Sequence, residues 1–183
     1  MESRLVRVSR FLSLVLRHDP SAAGVELDAE GWTEVDALIA GVNAAGRHLT
    51  AEDLATIVRE NDKHRFELEG GRIRARQGHS VQVDLGLSAS SPPKVLFHGT
   101  AERVEQVIRV EGLRQMGRTH VHLSADEGTA VRVGRRHGRP VVLRVDAAAM
   151  VEAGMSFYLS SNGVWLTEAV PPEFITALPR RGR

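Results

Sequence analysis

The stretch Gly86-Leu87-Ser88-Ala89-Ser90-Ser91-Pro92-Pro93 constrains this chain more than any other. Small residues closed by two prolines neither continue a helix nor fill a central strand. It reads as a linker over residues 86–93, with one lobe at 1–85 and another at 94–183. At 183 residues, one large domain or two small ones are possible, and this break favours two.

The first lobe opens with Leu5, Val8, Phe11, Leu12, Val15 and Leu16 at helical spacing, and Pro20 ends that helix. Arg17 and His18 then fall at its C-terminus, where capping alone would explain two cations. Val25 and Leu27 predict a short strand, and Thr33 with Asp36 predicts a helix start. Thr50 with Asp53 repeats that start signal. Phe66 to Ala75, broken by Gly70-Gly71, predicts a hairpin. The order is winged-helix-like. The second lobe carries short apolar runs at Val95–Phe97, Val121–Leu123, Pro140–Val145, Phe157–Leu159 and Val164–Leu166. Helical patterns lie at Ala101–Glu111 and Asp126–Arg136, so a mixed α+β domain is expected, and no GxGxxG motif is present.

Composition excludes several chemistries. There is no cysteine, hence no disulfide, no thiolate metal ligand and no thiol nucleophile. No apolar run approaches the ~18 residues of a membrane span, and the N-terminus lacks a secretory layout, so a cytoplasmic protein is expected. Net charge is +1, and Lys63 and Lys94 are the only lysines among 24 basic residues. The arginine excess fits either genomic base composition or phosphate recognition by planar guanidiniums. His120 and His122 alternate onto one strand face, but no further ligand follows at a usual spacing, so no metal is expected.

Six short stretches carry polar residues that secondary structure does not demand. They are Leu16–Pro20 (LRHDP), Asn61–Phe66 (NDKHRF), Arg74–Ser80 (RARQGHS), Phe97–Thr100 (FHGT), Met116–Ser124 (MGRTHVHLS) and Asn162–Thr167 (NGVWLT). Each has an ordinary reading as a cap, turn or loop. FHGT reads as a strand end opening a helix, where a Gly-containing turn can hold a phosphate or ribose hydroxyl. In this order the six closely resemble the RNA 2′-phosphotransferases, from about residue 5 to 178.

That resemblance implies an N-terminal winged-helix RNA lobe and a C-terminal NAD-binding lobe of ADP-ribosyltransferase type. The implied reaction removes an RNA 2′-phosphate by transfer to ADP-ribose. The phosphate first displaces nicotinamide from NAD, giving ADP-ribosylated 2′-phospho-RNA. The ribose 2″-hydroxyl then attacks phosphorus, releasing 2′-OH RNA and ADP-ribose 1″,2″-cyclic phosphate. The implied catalytic quartet is Arg17, His18, Arg65 and Arg118, with Lys63 at the same phosphate. Three guanidiniums suit an anionic phosphoryl group, and His18 suits proton transfer to the leaving RNA oxygen. NAD is expected at His98, Gly99, Thr100, His122, Ser124, Asn162, Gly163 and Val164. Gly99 and Gly163 equally satisfy turn geometry, Val164 core packing, and His122 a structural hydrogen bond.

Many protein ADP-ribosyltransferases carry a catalytic Glu in the last of these motifs, and on the resemblance the matching position here is Val164. A phosphate monoester, with a second pKa near ~6, is already a nucleophile at neutral pH and does not need that base. Phe97 stands where the family often has Tyr, and Arg76 where a neutral residue is common. Partners are expected to be 2′-phosphorylated RNA and NAD, with the protein monomeric. The alternatives are an ADP-ribosyltransferase that caps RNA or DNA phosphate ends, and a non-catalytic RNA-binding module.

Overall fold

The computed structural model describes residues 3–61 and 64–178 and mixes helices with small antiparallel sheets, an α+β architecture. The chain divides into two compact units, Met1–Gly86 and Leu87–Arg183.

In the first unit, helix α1 (Ser3–Val15) buries Leu5, Val8, Phe11, Leu12 and Val15. A 3-10 turn at Pro20–Ala23 follows, its N-terminus capped by the Asp19 carboxylate and its end by Gly24 at φ 60°. Val25 and Leu27 form no strand. They lie in irregular chain, and Val25 is buried by packing alone. The strand comes later, as β1 (Thr33–Glu34). For the same reason Thr33 is not a helix cap: its backbone pairs with Ile73, and helix α2 (Val35–Ala44) starts after Glu34, without a side-chain cap. Two alternating apolar residues cannot distinguish a paired strand from buried coil. The Thr50 signal is realised in full. A reciprocal capping box with Asp53 opens helix α3 (Ala51–Glu60). Arg4 grips the same Asp53 at 2.7 and 3.1 Å, tying α1 to α3. The hairpin of β2 (Phe66–Glu69) and β3 (Arg72–Ala75) turns on Gly70 and Gly71, whose φ values of 55° and 82° suit a tight two-residue loop. The sheet order is β1-β3-β2.

In the second unit, β4 (Val95–Ala101) pairs antiparallel along its whole length with β6 (Pro140–Asp146), and β9 (Ile175–Ala177) lies on the far edge of β6. A second sheet has the order β5-β8-β7, from β5 (Val121–Leu123), β8 (Trp165–Thr167) and β7 (Tyr158–Leu159). The two sheets join where Phe97 and Ser124 exchange backbone hydrogen bonds of 2.9 and 2.8 Å. Helices α4 (Glu102–Glu111) and α5 (Glu127–Gly134) match the expected patterns, while α6 (Ala147–Glu152) and β9 had no predicted counterpart. Leu96, Leu123, Leu143, Val145, Phe157 and Trp165 form the heart of this core. Part of the stretch read as a linker is bonded chain: Ala89 bridges Tyr158, and the Ser90 N–H donates to the Phe157 carbonyl.

FHGT does not itself open a helix. His98, Gly99 and Thr100 lie inside β4, and α4 begins only at Glu102. They therefore form no helix-N-terminal cradle. Gly99 serves neither a turn nor a positive φ. A Cβ there would collide with the Ala130 carbonyl oxygen, so glycine lets α5 pack directly on the strand.

Candidate functional site

In the first unit, the end of α1 and the chain leaving the hairpin build one cluster. The Ser80 and Val81 N–H groups both donate to the Arg17 carbonyl, at 2.8 and 3.2 Å. This docks Gly78–Val81 against the helix end, Gly78 turning at φ 88°. His18 Nδ1 lies 2.9 Å from the Ser80 hydroxyl, which in turn reaches the Arg17 carbonyl at 3.5 Å. A carbonyl only accepts, so the hydroxyl donates to it and accepts the His18 Nδ1–H. Nδ1 therefore carries a proton toward Ser80, and Nε2 is the ring nitrogen that Ser80 does not engage. Nε and Nη2 of Arg17 are shielded from solvent, while His18 is exposed.

His79 completes the cluster from beneath. It is 0% exposed, and neither ring nitrogen has a hydrogen-bond partner among the described residues. Burial, followed by the charges of Arg17, His18 and Arg74, pushes its pKa down to about 4. It is a neutral histidine packed under a cationic site.

Arg65 stands at the mouth of the hairpin. Its carbonyl accepts the Arg76 N–H at 2.9 Å, continuing the β2–β3 ladder by one step. Its Nη1 donates to Asn61 Oδ1 at 3.2 Å. Asn61 is 1% exposed, a positioning side chain rather than the solvated turn residue that its neighbours suggested. Lys63 lies outside the described residues. Arg76, which departs from the family's usual neutral residue, donates Nε to the Phe66 carbonyl at 3.0 Å and so fastens the hairpin base.

In the second unit, the sheet junction gathers the other set. His98 Nδ1 lies 3.0 Å from the His122 carbonyl oxygen. Nδ1 therefore carries the proton, and Nε2 is an acceptor. Desolvation holds the His98 pKa below the ordinary value, against that backbone bond, so the ring is neutral near pH 7. Arg118 Nη1 lies 3.2 Å from His122 Nδ1, and a guanidinium only donates, so His122 Nδ1 accepts. Arg118 itself is exposed beyond a turn where Met116 and Gly117 take φ 30° and 74°. His120 does not join His122: its ring meets Tyr158 edge-on, with centroids 5.7 Å apart. Among the described residues, no three or more His, Asp or Glu side chains gather where a metal ion could be held.

Asn162, Gly163 and Val164 form the turn between β7 and β8. Buried Ser160 holds it: its N–H donates to the Val164 carbonyl at 3.0 Å, and its hydroxyl lies 2.8 Å from Asn162 Oδ1. Gly163 adopts φ 79°, a turn requirement. Trp165 pairs with Leu123, so register carries Val164 to the Ser124 end of β5. Ser124 is bonded through its backbone to Phe97, next to His98. Thr100 is largely buried in β4, opposite Val141. Ser80, His79, Asn61 and Ser160 were not among the expected site residues, although His79 and Ser80 stand in RARQGHS and Asn61 opens NDKHRF.

No described helix is long and apolar enough to cross a membrane. Comparison with known proteins agrees with these motifs. Residues 3–169 match the family model described as RNA 2′-phosphotransferase, Tpt1 / KptA family. A probable RNA 2′-phosphotransferase of Hahella chejuensis is 50% identical over 180 residues, 97% of each chain. One from Streptomyces coelicolor is 52% identical over 174 residues, 95% of this chain and 96% of the relative. One from Agrobacterium fabrum is 55% identical over 170 residues, 92% of this chain and 91% of the relative. With a match that runs through both units, the chain belongs to the RNA 2′-phosphotransferase family, Tpt1 / KptA.

Proposed function

We propose that this protein removes the 2′-phosphate from RNA in an NAD-dependent transfer. Family membership across residues 3–169 carries this reading. NAD enters as co-substrate, supplying the ADP-ribosyl group that leaves as ADP-ribose 1″,2″-cyclic phosphate after nicotinamide has departed.

The residues of the first unit suit the RNA phosphate. Arg17 and Arg65 offer guanidinium forks to its oxygens; the Arg17 backbone is fixed by Ser80 and Val81, and Arg65 Nη1 is held by Asn61 Oδ1. The dianion needs no general base to act as a nucleophile at neutral pH. The departing RNA 2′-oxygen does need a proton. The His18 ring, fixed at Nδ1 by Ser80, is the group we assign to deliver it from Nε2, acting as the imidazolium and leaving as the Nδ1–H neutral ring. Lys63 remains part of the proposed phosphate set on the resemblance alone.

The residues of the second unit suit a nucleotide. Neutral His98, with Nε2 an acceptor, fits a ribose hydroxyl and not a phosphate oxygen. Thr100 is better assigned to packing, and Gly99 to close approach of α5, so neither need touch NAD. The Asn162–Val164 turn and Ser124 offer polar groups at the same sheet end as His98, and the absence of a carboxylate at Val164 suits a phosphate acceptor. On the resemblance, Arg118, bonded to His122 Nδ1, is the third guanidinium of the proposed set.

The test mixes purified protein, NAD and an RNA bearing one internal radiolabelled 2′-phosphate. Label in ADP-ribose cyclic phosphate supports the reading. Label held in ADP-ribosylated RNA points to end capping instead. No NAD-dependent change overturns it.

A further inference from the structure

Helix α1 has a second polar stripe that the proposed chemistry does not use. Arg4, Arg7, Arg10, Phe11 and Leu14 recur every three or four residues, and the same stripe continues to Arg17 and His18. The helical hydrogen bonding persists that far, since the His18 N–H donates to the Leu14 carbonyl at 2.8 Å. The α2–α3 loop faces the N-terminal half of this stripe. Together they line an open groove of Arg4, Arg7, Arg10, Phe11, Leu14 and Arg47, with His48 at its rim.

Its charge is one-sided. Among the described residues, no acidic side chain lines the groove. Arg4 is neutralised by Asp53, but Arg7 and Arg10 are exposed and make no ion pair among the described residues. The floor is different in kind. Leu14 is 41% exposed, and the Arg47 guanidinium carbon lies 3.8 Å from the Phe11 ring centroid. A guanidinium held over an aromatic ring offers a site where a nucleobase can stack. Phosphate-binding cations beside such a site fit a single nucleic-acid strand better than an acidic peptide, which has no use for it.

Spacing links the groove to the reactive end of the helix. Arg10 and Arg17 are seven residues apart, a rise of about 10 Å. That is on the order of three nucleotides at ~3.4 Å per charge of a stacked strand. We propose that this groove binds the RNA backbone flanking the 2′-phosphate, so that the strand runs along α1 from His18 toward Arg7. The inference rests on the 2′-phosphate reading above and adds where the neighbouring nucleotides lie.

The test compares wild type with the triple variant Arg7→Gln, Arg10→Gln, Arg47→Gln, leaving Arg4 and its ion pair intact. Two substrates are used: a dinucleotide with a 2′-phosphate, and an RNA of about twelve nucleotides with one internal 2′-phosphate. The variant is expected to turn over the dinucleotide as wild type does. On the longer RNA, kcat/KM should fall at least about tenfold, with a salt dependence shallower by up to about 0.7 for each lost phosphate contact. Equal turnover of the longer RNA by both proteins overturns the proposal, as does an equal loss on both substrates. If wild type dephosphorylates neither RNA, the functional reading fails on its own. Anisotropy with an unphosphorylated RNA of the same length then still decides the groove, which requires weaker binding by the triple variant.

Discussion

His79 makes the pH response of the first unit predictable. The ring is 0% exposed, neither nitrogen is hydrogen-bonded among the described residues, and its pKa falls from 6.5 to about 4. The unfolded chain, titrating near 6.5, therefore binds more protons than the folded one between these values. Stability from this group is complete above about 6.5 and is lost as pH falls toward 4. Linkage puts the loss at about 2 kcal/mol by pH 5 and about 3 kcal/mol by pH 4, relative to neutral pH. The variant His79→Gln cannot titrate and should lack this slope, though an unpartnered buried amide lowers its stability at every pH. Trp32 is 4% exposed and reports the first unit, so urea melts followed by its fluorescence in a Trp165→Phe background isolate that unit. Asp53, held at about 2 chiefly by the Arg4 hydrogen bond, contributes stability that is lost only as pH drops from 3.8 through that lower value. It therefore leaves the window from pH 7 to 4 nearly undisturbed. Parallel stability curves for the two proteins over that window would refute the account of His79 as a buried neutral ring.

Further outcomes follow from the same geometry. Arg65→Ala and Arg118→Ala should each lose at least ~1.5 kcal/mol of transition-state stabilisation, read from kcat/KM, with the circular dichroism spectrum unchanged. Wild-type turnover in either would remove that residue from the catalytic set. Ser80→Ala releases His18 Nδ1 and should lower kcat more than it raises KM for RNA, with a shifted pH profile; an unchanged profile would leave Ser80 a purely structural role. His98→Ala should raise KM for NAD and leave RNA affinity alone, and the reverse pattern would contradict the nucleotide assignment. Gly99→Ala should cost about 2 kcal/mol or more in thermal or urea melts, because the new Cβ meets the Ala130 carbonyl.

Much of the architecture is legible in local chemistry. The α1 stripe, the Thr50–Asp53 box and the Gly70-Gly71 hairpin each depend on residues only a few positions apart, and each forms as read. Val25 and Leu27 read as a strand because burial and strand pairing leave the same two-residue trace; they form none, and the strand lies instead at Thr33, which pairs with Ile73 forty residues further on. FHGT misled for a related reason. Gly99 looks like a turn residue in sequence, yet what demands glycine is a helix thirty residues on.

The functional residues divide in the same way. The order of six polar motifs carries the resemblance to the family, and that resemblance proposes Arg17, His18, Arg65 and Arg118 without coordinates, a set whose chemistry suits a phosphate. How those side chains are held is a matter of contacts distant along the chain. Ser80 reaches back across sixty-two residues to set the His18 tautomer, and the His122 carbonyl sets that of His98 from twenty-four residues away. Proton positions and depressed pKa values arise from burial and from partners brought in by folding, so only the tertiary structure could assign them.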